Sequence, residues 1–399
     1  MNFVGTTAGG MAVGLAIIAT CAVISRFNPF YRRELAADAG RRELSLDGLR
    51  GIAALMVVMH HAAMFRNSLR TGEWGNTGSP VLLACGPGGV HLFFMLTAFL
   101  FWSKARAAAG KLKIAKLWRG RVYRIGPLYF FSVALIMTIA IGTGKVRVGA
   151  GLLKSAGKLL GMGLIPWGQI GGFKIGDINA GVVWTLWYEW GFYLALPFIA
   201  WFAMGRRVFW LAAATYAAAF CAQFWLGIST QPALVFMLGM LCPVLLDNEP
   251  LRVQLRSPVA AVIAFAAMLL LAISNPAPLL SFRFAFSMFP IFLVAAAGNN
   301  FGGLLVQPAL RCLGAISYSL YLLHGIVFYV LINLLKAAGH AALPEISYWA
   351  IAATTAIALS AFCAATYRWI EFPFLSQSHK IPMAARNAAT TPAVAPSAL

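Results

Sequence analysis

Charge is scarce in this sequence. Of its 399 residues only 11% are Asp, Glu, Lys or Arg, against 61% hydrophobic, and the mean hydropathy is +0.79. So few charges exclude a soluble globular domain of this length and point to a polytopic membrane protein. Acidic residues are the rarest class, 11 against 31 Lys plus Arg, which leaves a formal charge of +20. In a membrane chain this excess is sorted by the side of the bilayer each cation occupies, so it is no footprint of nucleic-acid binding. Cysteine is also sparse: Cys21, Cys85, Cys221, Cys242, Cys312 and Cys363 lie in or beside apolar segments. No CxxC pair and no Cys/His spacing occurs among them, so neither a disulfide framework nor a metal site is expected. Internal repeats are lacking too, which argues against an inverted-repeat transporter.

Apolar runs are what the chain has in quantity. Stretches of roughly 16 to 23 residues, near the ~20 that cross a bilayer as a helix, fall at 8–25, 46–66, 88–103, 125–143, 182–204, 208–226, 232–247, 258–273, 282–298, 312–333 and 347–367. With 26–50 placed in the cytoplasm, 22 of the 31 lysines and arginines fall on the cytoplasmic side. The positive-inside rule then puts the N-terminus outside and the C-terminus in the cytoplasm, in a protein integral to the cytoplasmic membrane. The segment 144–181 breaks the rule with Lys145, Arg147, Lys154, Lys158 and Lys174, and its apolar part at 152–167 reads as re-entrant or interfacial. Residues 1–33 form an N-terminal anchor in preference to a cleaved signal, because no basic n-region or small-residue cleavage site is present. A basic cytoplasmic linker at 34–45 leads into one membrane domain at 46–376, and the Ala/Pro/Thr-rich tail 377–399 is expected to be disordered.

Several ionisable groups lie inside these spans, where they are costly and usually mark a site or a pathway. In LDGLRGIAALMVVMHH (46–61), Arg50 and His61 are eleven residues apart, about 1100° of helical turn, and share one face about 16 Å apart along the axis. Asp47 lies on the same stripe, with a structural Asp47–Arg50 pair an equally good reading of those two residues. In WTLWYEWGFY (184–193), the aromatics suit an interfacial belt, but Glu189 does not. Counted from the outer end of its helix, Glu189 is expected about 10 Å deep and His61 about 8 Å deep, so a Glu189–His61 pair is expected, with the carboxylate orienting a general base. His91 and His324 also lie within spans; each taken alone reads first as a structural histidine that satisfies a neighbouring carbonyl, while Tyr318 and Tyr321 at helical spacing before His324 place it on a face expected to line the same cavity. They are taken with Tyr188 as candidate substrate-binding residues. Arg121 and Arg124, one helical turn apart in RVYRIGPLY, suit the bidentate grip of phosphate oxygens.

Taken together, LDGLRGIAALMVVMHH (46–61), GPGGVHLFFMLTAFLF (86–101), RVYRIGPLY (121–129), WTLWYEWGFYLALP (184–197), ISYSLYLLHGIVFY (316–329) and YRWIEFPF (367–374) resemble the membrane acyltransferase family 3, which includes polysaccharide and O-antigen O-acetyltransferases. The resemblance implies an all-α fold of a ten-helix acyltransferase core, here with one extra N-terminal transmembrane helix. It implies catalytic roles for Arg50 and His61, use of acyl-coenzyme A by Arg121 and Arg124, and a membrane glutamate at Glu189. His91 departs from the acid many members carry there, and Thr97-Ala98 replaces a common Ser-Gly. The implied reaction moves an acyl group, most simply acetyl, from cytoplasmic acyl-coenzyme A to a hydroxyl of a cell-surface glycan or lipid-linked sugar. No metal, no nucleic acid and a lipid-bilayer setting are expected. The rival class is a transporter or exporter that uses the buried His, Glu and Arg as a proton relay.

Overall fold

The computed structural model describes residues 3–37, 44–109, 111–165, 167–202, 231–274, 281–340 and 343–378. The protein is an all-α polytopic membrane protein; among the described residues the only strands are β1 (Gln169–Ile170) and β2 (Phe173–Lys174), paired antiparallel in one short hairpin. The helices are α1 (Phe3–Phe27), α2 (Pro29–Ala37), α3 (Leu44–Thr71), α4 (Pro80–Ala107), α5 (Ile114–Gly142), α6 (Ala150–Leu160) and α7 (Trp184–Phe202). They continue with α8 (Gln231–Leu245), α9 (Glu249–Leu255), α10 (Pro258–Ser274), α11 (Phe282–Ala296), α12 (Pro308–Ala315), α13 (Ser317–Ala337), α14 (Glu345–Thr366) and α15 (Phe372–Ser378). Six of these stretches are long and apolar enough to span a bilayer, and α8 with α9 forms a seventh candidate bent by 111°. The expected span 208–226 lies outside the described residues. The segment expected to be re-entrant or interfacial, 152–167, overlaps α6, whose 11 residues reach only about 16 Å and cannot cross a membrane alone.

The α3 helix is the centre of the bundle, and glycine puts it there. A Cβ on Gly48 would stand 1.9 Å from the Leu305 carbonyl oxygen, and one on Gly314 would stand 2.1 Å from that of Asp47. The α3 and α12 backbones therefore touch, as membrane helices do where small residues remove the side-chain spacer. The same device seats α4 on α3, where a Cβ on Gly89 would meet the Ala53 carbonyl at 2.4 Å, and α8 on α4, where one on Gly239 would meet the Met95 carbonyl at 2.2 Å. By contrast α1 lies on the outside of the bundle, tied to it by Thr6 Oγ1 donating to Glu345 (2.8 Å).

Two irregular stretches aim side chains inward. The segment ahead of α7 runs through the interior: Ile175, Ile178, Asn179 and Val182 are all buried, and a Cβ on Gly325 of α13 would come within 2.3 Å of the Asn179 backbone. At the other end of the chain, a π-helical turn at Tyr367–Glu371 interrupts the run from α14 into α15. That wide turn swings Glu371 into the core, where it is 1% exposed; such turns recur where a helix must re-aim one side chain.

Candidate active site

One cavity of about 530 Å³ opens among α3, α4, α5, α7 and α13, a size typical of small-molecule sites. Among the residues lining it are five cations, Arg50, Lys104, Arg121, Arg124 and Arg311, and three carboxylates, Glu34, Asp47 and Glu189. Asp47 holds Arg50 across one turn of α3, with Arg50 Nη1 donating to Oδ1 at 2.7 Å. Arg124 donates to the buried Glu371 (3.2 Å), which also accepts a 2.5 Å hydrogen bond from Ser319 Oγ. Arg121 is held differently: its guanidinium lies over the rings of Phe101 (4.6 Å) and Tyr193 (5.5 Å), a cation–π arrangement. Its Nε is buried without a hydrogen-bond partner. Among the described residues no carboxylate forms an ion pair with Arg121, and the Lys104 ammonium stands over the same Phe101 ring (5.4 Å). The arginine pair expected from sequence is thus divided, with Arg124 neutralised from within and Arg121 facing the cavity.

The histidines form a second centre beyond that cavity. His324 Nε2 and His61 Nδ1 are 2.9 Å apart, with ring centroids 4.9 Å apart. His324 Nδ1 lies 2.9 Å from the Leu320 carbonyl. A carbonyl only accepts, so Nδ1 of His324 carries the proton and its Nε2 is the acceptor. His61 Nδ1 must therefore be the donor, shared between His324 Nε2 and the Val57 carbonyl at 3.1 Å. The proton is fixed on His61 Nδ1, and His61 Nε2 is left with its lone pair, the form a general base requires. The neighbouring His60 takes no part in this chain: its Nδ1 donates to the Leu82 carbonyl (2.9 Å).

Tyr321 links the two centres. Its ring lines the cavity and packs 6.3 Å from the His324 ring, while its hydroxyl bonds Thr185 Oγ1 (2.9 Å) and donates to the Val182 carbonyl (3.2 Å). On the far side, Trp74 stacks on His61 with centroids 6.2 Å apart and planes at 21°.

Glu189 is not at His61. It accepts a hydrogen bond from Tyr193 and lines the cavity with Arg121. The depth comparison between the helices assumed that both begin at the membrane surface; because residues 175–183 enter the bundle before α7 begins, Glu189 is carried toward the arginine end. Tyr188, unlike Glu189, does not line the cavity: it packs against Phe94 (6.2 Å) and Trp184 (5.7 Å). His91 is fully buried beside Phe284 (5.9 Å), with Nδ1 unpartnered, and it too is absent from the cavity lining. His324, expected among the substrate-binding residues, stands behind His61 as its hydrogen-bond partner. Sequence reasoning passed over Glu371, although an acid within YRWIEFPF, at the end of a long apolar run, was the signal. It also passed over Trp74, the single apolar residue of RTGEWGNTGS (70–79).

The described helices thus hold a cation-lined cavity and, beyond it, a tautomer-locked histidine within one membrane bundle. The family model described as Acyltransferase domain matches residues 43–365, so the chain belongs to the membrane acyltransferase family 3 and is a membrane acyltransferase. No curated protein and no solved structure is significantly similar to it.

Proposed function

We propose that this protein is an O-acyltransferase that takes an acyl group, most simply acetyl, from acyl-coenzyme A and gives it to a hydroxyl of a glycan or lipid-linked sugar. The observation that carries the reading is the Leu320–His324–His61 chain of hydrogen bonds, which holds His61 Nε2 unprotonated in a site buried in the bundle. The acceptor hydroxyl gives its proton to His61 Nε2 as its oxygen bonds the thioester carbonyl carbon. The C–S bond then breaks, and the departing thiolate takes the proton back from the imidazolium. His324 Nε2 accepts a stronger hydrogen bond while His61 is charged, which is the role first expected of Glu189. In this reading Arg121 and Lys104 receive the phosphates of the coenzyme, Arg50 with its Asp47 partner shapes the same mouth, and Arg124 supports it through Glu371. The cation-lined cavity faces the cytoplasm, the side that the lysine and arginine distribution favours, in the cytoplasmic membrane with the C-terminus inside.

The test is turnover of [¹⁴C]acetyl-coenzyme A by purified protein in detergent, wild type beside His61→Ala and Arg121→Ala. The reading expects His61→Ala to bind the donor and not turn it over, and Arg121→Ala to raise the donor KM. Near-wild-type turnover by a normally folded His61→Ala protein overturns it.

A further inference from the structure

The loop between α3 and α4 is built of small and polar residues with one exception. In RTGEWGNTGS (70–79) only Trp74 is apolar, and it is 48% exposed. An aromatic anchor of the membrane interface turns toward lipid, whereas this indole turns back over the bundle: one face stacks on His61 (6.2 Å) and its body meets Phe65 edge to face (4.9 Å). The fold of the loop enforces that direction. Asn67 Nδ2 donates to the Glu73 carbonyl (3.2 Å) and Thr71 Oγ1 accepts from the Glu73 amide (3.2 Å). Gly75 turns the chain at φ 111°, a value open to glycine and little else, and the Asn76 carboxamide oxygen caps the Gly78 amide (2.8 Å).

We propose that Trp74 is the platform on which the acceptor binds, and that the acceptor presents a pyranose ring. A pyranose has a face of C–H groups and a rim of hydroxyls. The C–H face, weakly positive, lies against the negative face of an indole, and a ring so placed on the exposed part of Trp74 extends one rim hydroxyl past the indole edge to His61. The exposed Glu73 and Asn76 flank the platform in the chain and supply partners for other hydroxyls. The platform is a surface separate from the arginine-lined cavity, whose lining does not include Trp74. The assignment rests on the acyltransferase reading above and adds to it the acceptor's place and ring chemistry.

The experiment measures transfer from [¹⁴C]acetyl-coenzyme A to methyl glycosides of glucose, galactose and mannose, with sorbitol as an acyclic polyol control. It uses full-length wild type, Trp74→Ala, Trp74→Phe and His61→Ala, each checked for monodispersity. The platform expects transfer to at least one pyranoside well above sorbitol, and an acceptor KM about tenfold higher in Trp74→Ala. Trp74→Phe, which keeps an aromatic face, is expected to recover most of that loss, and the donor KM stays with wild type in both variants. An unchanged acceptor KM in Trp74→Ala, a parallel change in donor KM, or equal use of sorbitol overturns the platform. Donor hydrolysis that depends on His61 without transfer to any pyranoside overturns the platform and leaves the acyltransferase reading standing. A wild type that neither hydrolyses nor transfers overturns both.

Discussion

Replacing His324 by alanine removes the acceptor that faces His61 Nδ1 at 2.9 Å and leaves every group proposed to meet substrate in place. The Val57 carbonyl, 3.1 Å from the same N–H, still accepts it, so the tautomer of His61 survives and the base remains available. What is lost is the strengthening of one hydrogen bond as neutral imidazole becomes imidazolium. A neutral hydrogen bond contributes about 0.5–1.5 kcal/mol and a charge-assisted one about 1.5–3 kcal/mol. The difference, about 1–2 kcal/mol, is roughly a 5- to 30-fold fall in kcat with little change in either KM. Removing the base itself in His61→Ala costs far more, of order 10²- to 10⁴-fold. The assay is steady-state transfer by protein in detergent, with thermal unfolding measured beside it, since the lost imidazole also leaves a buried void. His324→Gln, which restores an acceptor oxygen, is expected to recover part of the loss. A His324→Ala protein within twofold of wild type would refute the positioning role, as would one as inactive as His61→Ala while still folded.

Four other outcomes follow from the same geometry. Glu371→Ala leaves the half-buried Arg124 guanidinium at the cavity wall without its counterion and Ser319 without its acceptor, at a cost of up to about 3 kcal/mol; a fall in unfolding temperature is expected, and one reversed when Arg124→Met is added. Arg121→Ala, by contrast, is expected to leave the unfolding temperature within a few degrees of wild type, because its guanidinium rests on ring faces and breaks no ion pair; its effect is a donor KM that no longer rises with added salt as steeply as in wild type. Gly48→Ala drives a Cβ to 1.9 Å from a backbone oxygen and is expected to abolish folded protein in size-exclusion chromatography, whereas Gly120→Ala, helical and with open space around it, is expected to be stabilising by about 0.5–1 kcal/mol. Asn179 is fully buried with both carboxamide atoms unpartnered, so Asn179→Leu is expected to raise the unfolding temperature by removing an unmet desolvation penalty; a clear drop would show that the amide has a partner in the folded protein.

Much of this protein was legible in its residues before any coordinates. Hydropathy and the shortage of charge are sums over the chain, and they determine that it is a helical membrane protein because a backbone in lipid must satisfy its own hydrogen bonds. Helical spacing is equally local: Arg50 and His61 share a face of α3 whatever surrounds them, and the Asp47–Arg50 pair closes within one turn. Pairing between helices is another matter, since it depends on how far each is pushed along its axis relative to the next. Glu189 parted from His61 because the chain ahead of α7 dives into the bundle, and no count of residues inside α7 contains that offset. Arg124 and Glu371 stand 247 residues apart, and only the π-helical turn at Tyr367–Glu371 brings the acid inward. The partner of His61 was likewise decided by the packing of α13 on α3, where a carbonyl behind His324 fixes one proton and, through it, the next. A sequence carries the period of each helix because that repeats every few residues; the register between helices emerges only when glycine contacts, turns and buried charges are satisfied together.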